Sequence, residues 1–236
     1  MLSTTGRTLA DVARMARVVV PGVPHHITQR GNRRLPTFFR DSDYALYKRL
    51  MAGRCRAHGV AVWAYCLMPN HVHLIVVPPT EQSLRAAIGE AHRRYTLIVN
   101  RRQGWRGCLW QGRFFSFPLD AGHLYNGVRY VEQNPVRAGL VAHPADWSHS
   151  SARAHLLRRN DVLARWRPLG QRFSDWQAVL GQPLSDQLMD ELRHHERTGR
   201  PLGSEHFLTA LEGSLDRRLR PRRAGRRLAQ GHSLPT

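Results

Sequence analysis

Lysine is nearly missing from this 236-residue chain: Lys48 stands alone, so almost every one of the 36 basic residues is arginine. Acidic residues are scarce too, 17 against those 36, which leaves a formal charge of +19. A coding bias toward arginine codons would explain arginine over lysine but not the excess of positive charge. Guanidinium groups clamp phosphate bidentately, so the balance points to a polyanionic partner, nucleic acid foremost. Cysteine is also scarce. Cys55, Cys66 and Cys108 are odd in number and widely spaced, with no C-x-x-C pair, which excludes a disulfide framework and a zinc knuckle. No apolar run approaches the roughly 20 residues of a membrane helix. The N-terminal region lacks the basic-then-apolar order of a secretory leader, Val18–Val20 being too short, so a cytoplasmic location is expected. Hydrophobic residues make up 42% of the chain, enough for a folded core.

What is present reads as alternating strands and helices. Residues 1–17 form an N-terminal arm of no evident role, and 22–30 a first strand that ends in the turn Gly31-Asn32. Asp41-Ser-Asp43 caps a helix through Tyr44, Tyr47, Leu50 and Met51 to about His58. Strands at about 60–67 and 71–77 are joined by Met68-Pro69-Asn70. Thr80 and Ser83 introduce a long helix to about Arg101, with apolar spacing of three and four at Leu84, Ile88, Ala91, Tyr95 and Ile98. A fourth strand is expected over 110–119, then a helix from Ala121, capped by Asp120 and stopped at Pro135. The order β-α-β-β-α-β-α predicts an α+β, ferredoxin-like antiparallel sheet with helices packed on one face. Beyond about residue 157 the pattern changes to a helical extension, 158–216, followed by a basic tail, 217–236. That tail holds seven arginines in eleven residues: Arg217, Arg218, Arg220, Arg222, Arg223, Arg226 and Arg227. It reads as a disordered phosphate-binding segment; a solvated tail serving solubility is the plainer alternative.

One stretch carries more information than the rest. In Asn70-His71-Val72-His73 the two imidazoles project from the same face of a strand. Such a pair can hold one divalent metal, although zinc binding, packing or chance produce the same pattern. A second element bears on the choice. In Tyr130-Val-Glu-Gln-Asn134 the tyrosine and the asparagine are four apart, hence on one helix face. Two neutral imidazoles and the Asn134 amide oxygen would leave positions open for water and a phosphate oxygen on Mg2+ or Mn2+. Tyr130 would then attack in line, giving a phosphotyrosine and a free 3′-hydroxyl. Taken alone, Tyr130 is an ordinary half-buried aromatic. Tyr125 is a rival nucleophile, but it lies about 140° around the helix and has Arg129, not an amide, four residues on. His25, His26 and His123 read as structural or surface groups, with assistance to the site as the lesser reading. Arg30, Arg33, Arg34 and Arg113 are candidate phosphate contacts, and Trp110 and Phe114 candidate base-stacking platforms or core residues.

These motifs resemble those of the REP-associated tyrosine transposases, within the single-tyrosine HUH transposase superfamily. The matching stretches begin with Gly22-Val-Pro-His-His-Ile-Thr-Gln-Arg-Gly-Asn32 and Tyr65-Cys-Leu-Met-Pro-Asn-His-Val-His-Leu-Ile75. Leu109-Trp-Gln-Gly-Arg-Phe-Phe115, Arg129-Tyr-Val-Glu-Gln-Asn-Pro-Val-Arg-Ala-Gly139 and Trp147-Ser-His-Ser-Ser-Ala-Arg153 follow in order. They span a domain of about 18–157, and Gly199-Arg-Pro-Leu-Gly-Ser204 resembles a later segment of many members. The resemblance implies a ferredoxin-like core and metal-dependent cutting and rejoining of single-stranded hairpin DNA, by a monomer or a homodimer. It implies His71 and His73 as metal ligands, Tyr130 as nucleophile and Asn134 at the third-ligand position, where insertion-sequence relatives often carry Gln. Other readings are a replication- or conjugation-type nicking enzyme of the same superfamily and a non-catalytic ferredoxin-like nucleic-acid binder.

Overall fold

The computed structural model describes residues 16–221. Its centre is a four-stranded antiparallel sheet: β1 (His25–Arg30), β2 (Ala61–Met68), β3 (His71–Val77) and β4 (Phe115–Pro118), in spatial order β2-β3-β1-β4. That order, with α1 (Asp41–Ala57) between β1 and β2 and α2 (Glu90–Gln103) between β3 and β4, is the ferredoxin-like topology. The hairpin β2–β3 forms as its composition predicts, around the Pro69-Asn70 turn. A single π-helical turn, Arg85–Gly89, precedes α2. The fourth strand is shorter than its composition suggests, because Gly107 and Gly112 hold positive φ (91° and 67°) and break the segment before it.

Strand alternation sorts the side chains into two cores. Ile27 of β1 and Val72, Leu74 and Val76 of β3 face α1 and α2, where Tyr47, Met51, Leu84, Ile88 and Tyr95 close over them. Each such buried apolar side chain contributes roughly 1.5–3 kcal/mol. The opposite face carries Ile75, Phe117 and Leu119, and it is covered as well, which corrects the expectation of helices on one face only. Its cover is α3 (Ala121–Glu132) together with part of the C-terminal region. That region comprises α4 (Asn134–Arg137), α5 (Ala152–Leu156), α6 (Arg167–Gly170), α7 (Trp176–Gly181), α8 (Asp186–Thr198) and α9 (Glu205–Leu215). Leu124, Val128 and Val131 of α3 meet Trp176, Val179, Leu180 and Leu192 there. A sheet with apolar residues on both faces requires a second layer, and the extension supplies part of it.

The extension is tied to the sheet at other points too. Segment 149–151 runs along the free edge of β2, with Leu67 N–H donating to His149 O (2.9 Å) and Ser151 N–H to Tyr65 O (3.0 Å). Residues 217–221 are not a loose tail. Leu219 is buried with Val18 and Leu211, and Arg220 is held by Glu205 (2.8 Å) and Glu212 of α9. Arg222, Arg223 and the rest of the basic run lie outside the described residues. Cys55 and Cys66 are buried free thiols and Cys108 is exposed. Among the described residues no helix is long and apolar enough to cross a membrane.

Candidate active site

The pairing of β1 with β3 fixes what surrounds the histidine motif. Arg30 lies opposite His71, Thr28 opposite His73 and His26 opposite Ile75. His26 and His73 are therefore diagonal neighbours on the face turned toward α3. Their rings stack at 5.2 Å, and His26 Nε2 lies 3.0 Å from His73 Nδ1. His71 stands 5.0 Å from His73, ring to ring, with its Nδ1 2.6 Å from Asn70 Oδ1.

Helix α3 brings the tyrosine to this face. Gly127 makes the approach close: a Cβ there would fall 2.9 Å from Leu119 Cδ1 and 3.7 Å from Ile75 Cδ1. One turn further on, the Tyr130 ring lies 5.6 Å from His73 and 5.8 Å from His26, edge-on to both. Arg137 stacks its guanidinium 4.4 Å over the Tyr130 ring and donates to the Tyr130 carbonyl (2.7 Å). Tyr130, His71 and His73 line a cavity of about 420 Å³ with Thr28, Arg30, Arg34, Arg193, Glu196 and Arg197.

Sequence reasoning missed two members of the site. His26 reads as a structural residue, but its alternation on β1 places it beside His73 once β1 and β3 pair. Glu196, on α8, is distant in sequence and belongs to no motif. Its one trace is helical spacing: Leu188, Leu192 and Glu196 fall at four-residue steps on one stripe. Glu196 Oε1 lies 3.5 Å from His73 Nδ1 and 3.8 Å from His26 Nε2. His26, His73 and Glu196 thus form a cluster able to chelate a divalent cation. A point equidistant from the three atoms lies about 2.0 Å from each, within the range of metal–nitrogen and metal–oxygen bonds. Glu196 Oε1 is also buried without a hydrogen-bond donor, as a carboxylate oxygen awaiting a cation would be.

The electrostatics agree with ligand chemistry. Burial, with a smaller push from Arg137, lowers His26 to about 3, and burial with Arg30 and Arg137 lowers His71 to about 4. His73 is driven well below its ordinary value by burial and by its histidine and arginine neighbours. All three imidazoles are neutral near pH 7 and keep a lone pair for a metal. Burial pushes Glu196 up to about 7 against the pull of Arg30, Arg137, Arg193 and Arg197. Burial and then Glu196 raise Tyr130, while Arg137 and Arg193 oppose them.

The other candidates separate clearly. Asn134 opens α4, just after α3 ends, and is nearly buried; it is not among the residues lining the cavity. Arg30 and Arg34 stand at the cavity, whereas Arg33 is exposed on the turn before α1 and Arg113 on the loop before β4. Trp110 is 5% exposed, its ring packed among Phe38, Tyr47, His92 and Tyr95. Phe114 is likewise buried, under the Arg17 guanidinium. Arg217 donates to Ala16 O and Arg218 to Pro221 O, so both are engaged at the chain's own backbone. His25 is bound to the backbone of Val20 and Val23, and His123 to the cap residue Asp120. Tyr125 packs on Phe173 of the extension and beneath Arg129.

Residues 20–134 match the model of the family described as IS200-like transposases. A protein of Haemophilus influenzae named a REP-associated tyrosine transposase is 27% identical over 108 residues, 41% of this chain and 61% of the relative. The chain thus spans less than two thirds of that relative's length. The solved structure of a REP-associated tyrosine transposase bound to a REP hairpin superposes with a TM-score of 0.51, over 65% of this chain and 94% of that one. At 20% identity that likeness speaks for the fold. Residues 20–134 are thus similar to the IS200-like transposases, the group whose single-tyrosine HUH motifs the chain's own motifs resemble.

Proposed function

We propose that this protein is a metal-dependent nickase and strand transferase for single-stranded hairpin DNA, acting through a covalent phosphotyrosine. One observation carries the reading. A tyrosine, a neutral histidine pair and a carboxylate converge on one arginine-rimmed cavity, from segments that share no local sequence. The relative solved with a REP hairpin makes a short DNA hairpin the natural first substrate.

Arg30, Arg34 and Arg197 sit where they would hold the DNA backbone on either side of the cut. Tyr130 is the nucleophile. Its hydroxyl loses a proton to solvent, its oxygen bonds to phosphorus, the bond from phosphorus to the 3′-oxygen breaks, and that oxygen takes a proton from solvent and leaves as a 3′-hydroxyl. Attack by a 3′-hydroxyl on the same phosphorus reverses these events and rejoins the strand. Two ligand sets have His73 in common: the motif's His71, His73 and Asn134, and the cluster His26, His73 and Glu196, whose ligand atoms lie 3.0, 3.5 and 3.8 Å apart. When bound, Mg2+ or Mn2+ would polarise a phosphate oxygen and offset its charge. Arg137 sits under the tyrosine ring and favours the phenolate form.

The test is a denaturing gel of the full chain incubated with labelled hairpin oligonucleotides and Mn2+. A protein–DNA adduct should form with wild type and vanish in Tyr130→Phe. An adduct of equal yield from Tyr130→Phe would refute the mechanism.

A further inference from the structure

On the face of the sheet turned away from Tyr130, a second cavity of about 650 Å³ opens between α2 and the loop before β4. Its inner wall holds three rings: His92 lies 4.9 Å from Trp110 and 6.2 Å from Phe114. Gln29 lines it from β1, on the same strand face as Ile27. Two polar atoms of this wall are buried without a hydrogen-bond partner among the described residues, the acceptor Gln29 Oε1 and the donor Trp110 Nε1. Such atoms are uncommon in folded proteins, and each is a place where the polar edge of a ligand gains a bond.

Gly89 keeps this cavity open. It stands where the π-helical turn Arg85–Gly89 joins α2, at φ −59° and ψ −43°, a right-handed helical geometry that every residue adopts. Alanine would suit the helix better. A Cβ on Gly89 would have one neighbour within 4 Å outside its own helix, Phe114 Cε1 at 4.0 Å. Neither backbone geometry nor close packing therefore demands a glycine, and a longer side chain would fill the space in front of Phe114. The rim is cationic. Arg85 and Arg113 are exposed, and among the described residues neither guanidinium has a hydrogen bond or an ion pair. A narrow cleft around the edge strand β4 shares Arg113 and Phe114 with this cavity and Phe115 and Arg197 with the catalytic one. One arginine-lined path thus runs from the Tyr130 cavity, past β4, to the wall of rings.

We propose that this second cavity is a specificity pocket for one unpaired nucleotide of the strand flanking the hairpin. Its base enters beside Trp110 and Phe114, the polar edge of that base meets Gln29 and Trp110, and Arg85 and Arg113 hold the adjoining phosphates. A planar base suits a wall of rings, its donors and acceptors suit the two unpartnered atoms, and phosphate suits exposed guanidinium groups. The inference rests on hairpin DNA as the substrate and deepens that reading, placing sequence choice on the sheet face opposite the chemistry.

The test measures binding to the full chain, in EDTA so that no strand is cut. A DNA hairpin with randomised single-stranded flanks is enriched on the protein and the bound pool is sequenced. Wild type should select a base at one flank position or more. Gly89→Leu, which suits the helix and fills the cavity, should lose that selection. In fluorescence anisotropy, an abasic site at the selected position should weaken wild-type binding about tenfold and leave Gly89→Leu unaffected. Arg85→Gln combined with Arg113→Gln should weaken binding of the flanked hairpin about tenfold while leaving the same hairpin without flanks unaffected. Circular dichroism confirms folding, and the exposed arginine pair keeps the proposal testable should Gly89→Leu fail to fold. The proposal is overturned by a pool with no selected flank position, by equal selection in wild type and Gly89→Leu, or by equal losses for flanked and unflanked hairpins in the arginine variant. Free deoxynucleoside monophosphates carry the same chemistry. If they bind wild type but not Gly89→Leu in equilibrium dialysis, and no flank position is selected, the pocket takes a soluble nucleotide and the strand assignment falls. The adduct gel separates the two levels: an adduct without flank selection removes only the pocket, and flank selection without an adduct removes only the tyrosine chemistry.

Discussion

His155 Nδ1 lies 2.6 Å from Glu132 Oε1, and both side chains are fully buried. Glu132 follows Tyr130 by two residues on α3, whereas His155 belongs to α5. The same carboxyl group accepts from Ser151 Oγ and from Trp176 Nε1 (3.2 Å) of α7. The helix that carries the tyrosine is thus fastened to the extension through one buried polar group. Glu132→Ala would leave His155 and Trp176 without their partner and open a cavity. It should cost about 3–5 kcal/mol in urea unfolding. Glu132→Gln, which keeps the shape and one acceptor, should cost less than half of that. Equal stability of Glu132→Ala and wild type would show that the group fastens nothing.

The two candidate ligand sets make opposite forecasts for two neighbouring histidines. His73→Ala should abolish specific Mn2+ binding under either. His26→Ala should weaken it at least tenfold if the cluster with Glu196 is correct, because His26 Nε2 is 3.0 Å from His73 Nδ1. Asn134→Ala should then leave affinity within twofold. The reverse pattern, tight binding in His26→Ala and loss in His71→Ala and Asn134→Ala, would restore the motif's own set.

These alternatives mark where the sequence stops being readable. The strands β2 and β3 could be placed almost to the residue because β-branched and aromatic runs flank a proline turn. Tyr130 and the histidine motif were legible because each lies in a short segment whose spacing alone sets its geometry. His26 was ambiguous, since nothing in Pro24-His25-His26 tells which imidazole faces α3 until β1 pairs with β3. Glu196 was invisible as a ligand: its position depends on Leu188 and Leu192 docking α8 on the sheet, a tertiary event with no local code. Arg220 erred in the other direction. Its arginine-rich context suggests a free tail, but Glu205 and Glu212 on α9 capture it.

Gly31 should be intolerant of substitution although its φ of −59° suits any residue. A Cβ there would fall 2.2 Å from the Leu35 carbonyl oxygen and 2.8 Å from Thr37 Cγ2. Backbone cannot yield as a side-chain tip can. Gly31 N–H also donates to Asn70 O (2.8 Å), which ties this turn to the residue before His71. Gly31→Ala should destabilise the fold by roughly 1–3 kcal/mol and lower the adduct rate by displacing the Asn70–His71 turn. Chemical denaturation and the gel assay check the two effects, and wild-type behaviour in both would contradict the close approach.

His92 should make the protein acid-sensitive in a way that does not involve the active site. It is 5% exposed on α2, accepts a hydrogen bond from the Tyr47 hydroxyl (2.8 Å) and packs on Trp110. Burial lowers it from an ordinary value of 6.5 to about 3. Between those two values the unfolded chain takes up a proton that the folded chain refuses, so stability falls as pH drops from about 6.5 toward 3. Over pH 7 to 5 this one group should remove about 2 kcal/mol. His25, lowered to about 4 chiefly by burial, acts with the same sign, so wild type alone does not isolate the effect. His92→Gln does, because the amide oxygen can still accept from Tyr47 but does not titrate. Urea unfolding at pH 7 and pH 5 should show wild type losing about 2 kcal/mol more than His92→Gln between the two conditions. Equal losses would mean that His92 is protonated in the folded protein as readily as in the unfolded chain, and that its burial against Trp110 is incomplete in solution.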